Sequence, residues 1–120
     1  MIPAMDRFRE LMEERWRDFE REASALSEGN LATVLGKAWY RTLDPTERSL
    51  ADQVLGDWVL RGSPGQQFDA LALIREFRIR SAELALHQLL AKLDHVPGPA
   101  ARDLSKKVQR VIDVLKADPT

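Results

Sequence analysis

From Met5 to Leu115 the apolar side chains recur every three or four residues. No stretch alternates apolar with polar long enough to form a strand. A chain patterned this way hides its apolar atoms by packing helix against helix. The expected fold is therefore all-α, with about six helices in a short stack of helix pairs or a compact antiparallel bundle.

Local punctuation places the helices. Residues 5–26 carry one narrow stripe, Met5, Phe8, Met12, Trp16, Phe19, Ala23 and Leu26, on an otherwise charged helix. Glu13 to Arg17 and Asp18 to Arg21 form favourable pairs on its surface. The run "SEGN" ends it, with Gly29 free to take positive φ. Asn30 is a candidate cap for a second helix reaching about Leu43, with Leu31, Val34, Leu35, Ala38 and Trp39 turned inward. "DPTE" at 44–47 reads as a capping box with Pro45 in the first helical position. The helix it opens carries Leu50, Ala51, Val54, Leu55, Trp58 and Val59, and Gly62 stops it. "SPGQ" at 63–66 repeats that start chemistry, with Ser63 as cap and Gln66 closing the box. Ser81 is the candidate cap of a fifth helix, after a break or kink at 78–80. "PGP" at 97–99 separates it from a sixth, about 100–116, carrying Leu104, Val108, Val111, Ile112 and Leu115.

The fourth helix, containing "FDALALIREFRI", has apolar residues on two sides. Ala70, Leu71, Leu73, Ile74 and Phe77 fill a broad arc, while Phe68 and Ala72 lie opposite. Such a helix is expected to have a neighbour on each flank, which favours a layered stack over a bundle. The charged first helix would then cap one end or pair with a second copy.

Residues 50–93 resemble a helical-repeat pair of the HEAT type. The first helix would be "LADQVLGDWVL", the turn "RGSP" and the second helix "FDALALIREF". Phe68 and Ala72 occupy positions that the family fills with Val and Ala, and "LALHQLLAKL" at 84–93 resembles the first helix of a following unit. The pattern departs from the family at Asp69, where Arg is usual, and at Val108, where a small residue is expected. The resemblance implies a short HEAT-like stack serving as a binding scaffold, usually for protein and sometimes for nucleic acid.

At 120 residues the chain fits one domain spanning 1–120, a length that buries roughly two thirds of the unfolded surface. The absence of cysteine excludes a disulfide scaffold, a thiolate zinc site and a cysteine nucleophile, and suits a reducing compartment. The opening "MIPAMDRFRE" lacks the apolar core of a signal peptide, and no apolar run has membrane-spanning length. The expected location is cytoplasmic, with no membrane partner. Residues 1–60 hold 8 basic and 12 acidic side chains, net −4, and residues 61–120 hold 10 and 7, net +3. That field is too weak for general nucleic-acid binding but can orient an encounter with a charged protein.

Four sets of side chains are candidates for function. Arg75, Arg78 and Arg80 cluster after the fourth helix and, with Arg61, would line one end of a stack as anchors for carboxylate or phosphate. Phe8, Met12 and Trp16 would form a partner or homodimer surface if the first helix docks only partly. Arg102, Lys106 and Arg110 recur every four residues with Lys107 beside them, a stripe suited to phosphates or an acidic partner. Residues 78–120 contain no Phe, Trp or Tyr, which argues against stacking on bases. Glu83 with His87, and Asp69 with Glu76, have the spacing of possible ligands or acid–base pairs. An exposed polar pair and an ion-paired network at a layer edge are the simpler readings. No catalytic residue, metal or cofactor is assigned, since the chain has no Gly-rich phosphate loop and no Gly-x-Ser-x-Gly elbow. The expected function is a small non-catalytic helical protein–protein interaction module, in the manner of an adaptor, regulator or immunity protein. The alternatives are a nucleic-acid-binding helical repeat using the last helix, and an enzyme with a carboxylate/His site.

Overall fold

Capping chemistry sets where the middle helices begin. The computed structural model describes residues 4–27 and 30–117. Among these residues there are six α-helices and no strand: α1 (Ala4–Ala25), α2 (Leu31–Arg41), α3 (Pro45–Arg61), α4 (Pro64–Phe77), α5 (Glu83–Leu93) and α6 (Pro99–Lys116). The fold is all-α, and none of these helices is long and apolar enough to cross a membrane.

Both expected capping boxes form. The Glu47 N–H donates to Asp44 Oδ1 at 2.8 Å, and the Asp44 N–H donates to Glu47 Oε1 at 3.0 Å. The Gln66 N–H donates to Ser63 Oγ at 3.2 Å, and the Ser63 N–H donates to Gln66 Oε1 at 3.0 Å. Each box satisfies two helix-end donors that would otherwise lack partners. Pro64 and Pro99 stand at the starts of α4 and α6, where the missing N–H costs nothing.

Two other caps differ from expectation. Asn30 makes no side-chain cap bond to α2, and Thr42 closes that helix by donating its hydroxyl to the Trp39 carbonyl at 2.6 Å. Ser81 does not cap α5, because Arg80–Ala82 forms a 3₁₀ turn and Ala82 takes the N-cap position. The break before it is complete and needs no glycine. Arg78 adopts a left-handed conformation (φ 50°, ψ 56°), and Arg78 and Ile79 both donate to the Ile74 carbonyl. This is the Schellman type of ending, with Ile79 buried beneath it. Gly29 lies outside the described residues, as does Glu28, while Ser27 has positive φ at 54°.

The chain falls into two compact units, Met1–Val54 and Leu55–Thr120. The boundary lies inside the continuous helix α3, where no linker marks it.

In the first unit α1 packs on α2. Met12 and Trp16 are 0% and 1% exposed. The Trp16 ring meets Trp39 edge-on at 5.6 Å and Phe19 at 5.3 Å, and Phe8 lies tilted against Trp39 at 6.1 Å. These are favourable aromatic geometries. The fully buried side of α2 is Ala32, Gly36 and Tyr40; of the expected arc, Leu31, Leu35 and Trp39 are half-buried and Val34 and Ala38 are exposed. Val34 is 57% exposed. The helix is rotated because Trp16 requires the space above Gly36: a Cβ there would stand 2.6 Å from Trp16 Cζ2.

In the second unit α6 packs on both α4 and α5. Ala101, Val108, Val111, Ile112 and Leu115 form its buried face. Leu86 and Leu89 of α5 and Ala70, Leu73 and Ile74 of α4 are buried as well. Gln67 ties α4 back to the preceding helix by donating to the Val59 carbonyl at 2.8 Å. The expectation of enclosure on both flanks of α4 is not met. Leu73 is fully buried, but Phe68 is 49% exposed. Ala72 is half-buried, so that side of α4 is covered only in part and faces an open groove.

Candidate functional site

The groove is built from two helix stripes. On α4, Phe68, Leu71, Ala72 and Arg75 follow the i, i+3, i+4, i+7 rule of a single face. On α6, Lys107, Arg110 and Val111 do the same. Together these residues line a groove of about 250 Å³. Its floor is apolar: Phe68, Leu71, Ala72 and Val111. Its rims are cationic, with Arg75 on the α4 side and Lys107 and Arg110 on the α6 side. Among the described residues no acidic side chain lines it. The Lys107 ammonium sits 5.6 Å from the centre of the Phe68 ring, a cation–π contact that covers the most exposed part of the floor.

This arrangement joins parts of two sets that the sequence kept separate. Arg75 comes from the arginine cluster, and Lys107 and Arg110 from the basic stripe of the last helix. The other members go elsewhere. Arg61 pairs with Asp57 one turn back, at 3.2 Å, in an exposed contact of little energetic weight. Arg78 forms the left-handed end of α4 and Arg80 opens the 3₁₀ turn; both are exposed and both hold interactions of their own. Arg102 and Lys106 are exposed on α6 but do not line the groove.

The proposed partner surface on α1 is corrected. Met12 and Trp16 are buried within the first unit, so neither is open to a partner or a second copy. Their narrow stripe is a core contact, and the large apolar residue that α1 does expose is Leu11, 55% exposed. Phe8 is only partly buried.

The candidate chemical pairs are loosely placed. His87 Nε2 lies 3.8 Å from Glu83 Oε1, with both side chains well exposed. Asp69 is buried whereas Glu76 is exposed, so the two carboxyls do not share an environment, and each holds interactions of its own. Among the described residues no three His, Asp or Glu side chains are grouped to hold a metal ion.

One polar cluster was missed in the sequence. The Tyr40 hydroxyl donates to Asp52 Oδ1 at 2.8 Å, and the Arg48 guanidinium lies 5.2 Å from the centre of the Tyr40 ring. Burial pushes the Asp52 carboxyl above its ordinary value, against the opposing pull of the Tyr40 hydroxyl and the Arg48 charge. Burial, and then the Asp52 bond and charge, raise the Tyr40 phenol as well. The four-residue step from Arg48 to Asp52 was visible as a same-face pair; the tyrosine arriving from α2 was not.

No protein-family model, curated protein or solved structure matches this chain. The case for function therefore rests on the groove and on the residues around it.

Proposed function

We propose that this is a small, non-catalytic helical interaction module that docks another protein in the α4–α6 groove. The observation carrying this reading is an exposed aromatic ring, Phe68, beside half-buried Ala72 over buried Leu71 and Val111, in a groove set between three cations. Large aromatic and arginine side chains around a desolvated centre are the usual anchors of protein interfaces. The HEAT-type pattern of residues 50–93 supports the same reading, since such pairs serve as scaffolds. An adaptor, a regulator or an immunity-type protein, acting in the cytoplasm, is the form this takes.

The test is a photo-reactive residue at Ala72, in the groove lining, irradiated in an extract of the source cells. One protein should be captured, and Arg75→Glu with Lys107→Glu should abolish the capture. Recovery of the uncoupled chain alone, or capture indifferent to those charges, removes the assignment.

A second reading, nucleic-acid binding, draws on Arg102, Lys106, Lys107 and Arg110, which all stand exposed on α6. A low-salt gel assay separates the two. Duplex binding that weakens with Lys106→Ala and Arg110→Ala, with a reduced salt slope, favours this second reading.

A further inference from the structure

We infer that the occupant of the groove is an amphipathic helix of a partner protein whose apolar ridge is flanked on both sides by carboxylates. This rests on the docking role proposed above and goes further by naming the chemistry of the partner.

Size is the first argument. A volume of about 250 Å³ lies below the roughly 300–1,000 Å³ of small-molecule pockets. The groove has room for a few anchoring side chains. Shape is the second. Both walls are helices, and the residues of each wall repeat at helical spacing. A third helix laid along the groove inserts its own ridge between them, as helices do when ridges pack into grooves.

Charge decides the flanks. Arg75 stands on one wall, with Lys107 and Arg110 on the other. A helix seated with its ridge on the floor presents one flank to each wall, at the positions that set pairing in coiled coils. Carboxylates on both flanks meet all three cations; on one flank they leave a wall of cations facing apolar or basic groups. Arginine gains most, because its planar fork takes a carboxylate in two parallel hydrogen bonds. Lys107 is held over Phe68 before binding. An arriving carboxylate draws the ammonium off the ring and bares Phe68 as the anchor surface. Nucleic-acid phosphates satisfy the cations but leave the apolar floor in water.

Two labelled synthetic helices test this on the full chain by fluorescence anisotropy. They share one leucine ridge and differ only in flanks, all Glu or all Lys. The Glu peptide should bind about tenfold tighter or more, with the gap closing at high salt. Arg75→Glu with Lys107→Glu should reverse the preference. Arg75→Gln with Arg110→Gln should narrow it, which provides a second readout if the reversed chain folds poorly by circular dichroism. Equal binding of the two peptides, or a preference indifferent to these substitutions, overturns the inference. So does duplex DNA that displaces the Glu peptide at lower concentration. Self-association in sedimentation that is lost on charge reversal also overturns it, since the occupant is then a second copy. If Ala72 captures a partner protein while the chain prefers neither peptide, only this inference falls and the interaction module stands.

Discussion

Gly36 leaves the space that Trp16 fills: a Cβ on Gly36 would stand 2.6 Å from Trp16 Cζ2 and 2.9 Å from Cη2. An indole ring cannot swing aside as the tip of a flexible chain would. Gly36→Ala should therefore destabilise the protein by about 2 kcal/mol, outweighing the gain of about 1 kcal/mol in helix propensity. Urea unfolding followed by tryptophan fluorescence measures it. Trp16→Leu in the same chain should return part of the loss, so that the two changes are non-additive. A Gly36→Ala protein as stable as the parent contradicts this packing.

Asp52 predicts a pH dependence with a definite sign. Burial raises its carboxyl above the ordinary 3.8, so the folded chain takes up this proton at higher pH than the unfolded chain. The stability tied to that proton is present below 3.8 and is lost as pH rises through the folded value. Asp52→Asn removes the titration while keeping an oxygen for the Tyr40 hydroxyl. On acidification from neutral pH, the parent should gain stability relative to Asp52→Asn. Urea midpoints of both proteins across the acid range check it; a flat difference, or one of opposite slope, contradicts it.

Ser63 accepts from Gln66 and gives α4 its start. Ser63→Ala should cost about 1 kcal/mol while leaving the α5–α6 pairing intact. Hydrogen exchange should show the loss concentrated in the first turn of α4. Unchanged exchange there would mean that Pro64 alone is enough to start the helix.

Arg78 sits in the left-handed region at the end of α4, where most side chains are strained. Arg78→Gly should raise stability by about 0.5–1 kcal/mol, the relief of strain exceeding the extra freedom of the unfolded chain. A thermal melt decides it. Destabilisation would show that the interactions Arg78 holds matter more than its backbone.

Met12 is fully enclosed, so Met12→Ala should cost about 2–4 kcal/mol and leave binding at the groove unchanged wherever the chain remains folded. Loss of groove binding at constant stability would restore α1 as a partner surface.

Much of the helical plan was legible because helix starts are local chemistry. Asp44 and Glu47, or Ser63 and Gln66, lie within one turn and find each other in any helix that begins there. The face of α2 was not legible. Apolar spacing selects Leu31, Val34, Leu35, Ala38 and Trp39, of which Trp39 does pack on α1, but Trp16 on another helix needs the bare side at Gly36, and Tyr40 needs to reach Asp52. Both demands are tertiary. Its size and apolarity predict that Phe68 is covered, yet Lys107 provides only a partial roof. The groove was the least legible feature. Each of its charges was visible, but Arg75 and Lys107 are 32 positions apart, and nothing local indicates that α4 and α6 pack side by side.

That separation along the chain has a practical consequence. A molecule gripping both rims finds them together only in the native state, so mass action shifts the folding equilibrium toward that state. At a hundred times its Kd, such a molecule raises the unfolding free energy by about 2.7 kcal/mol. A rise in Tm on mixing, absent when the rim charges are reversed, therefore lets the protein report its own partner in a simple melt.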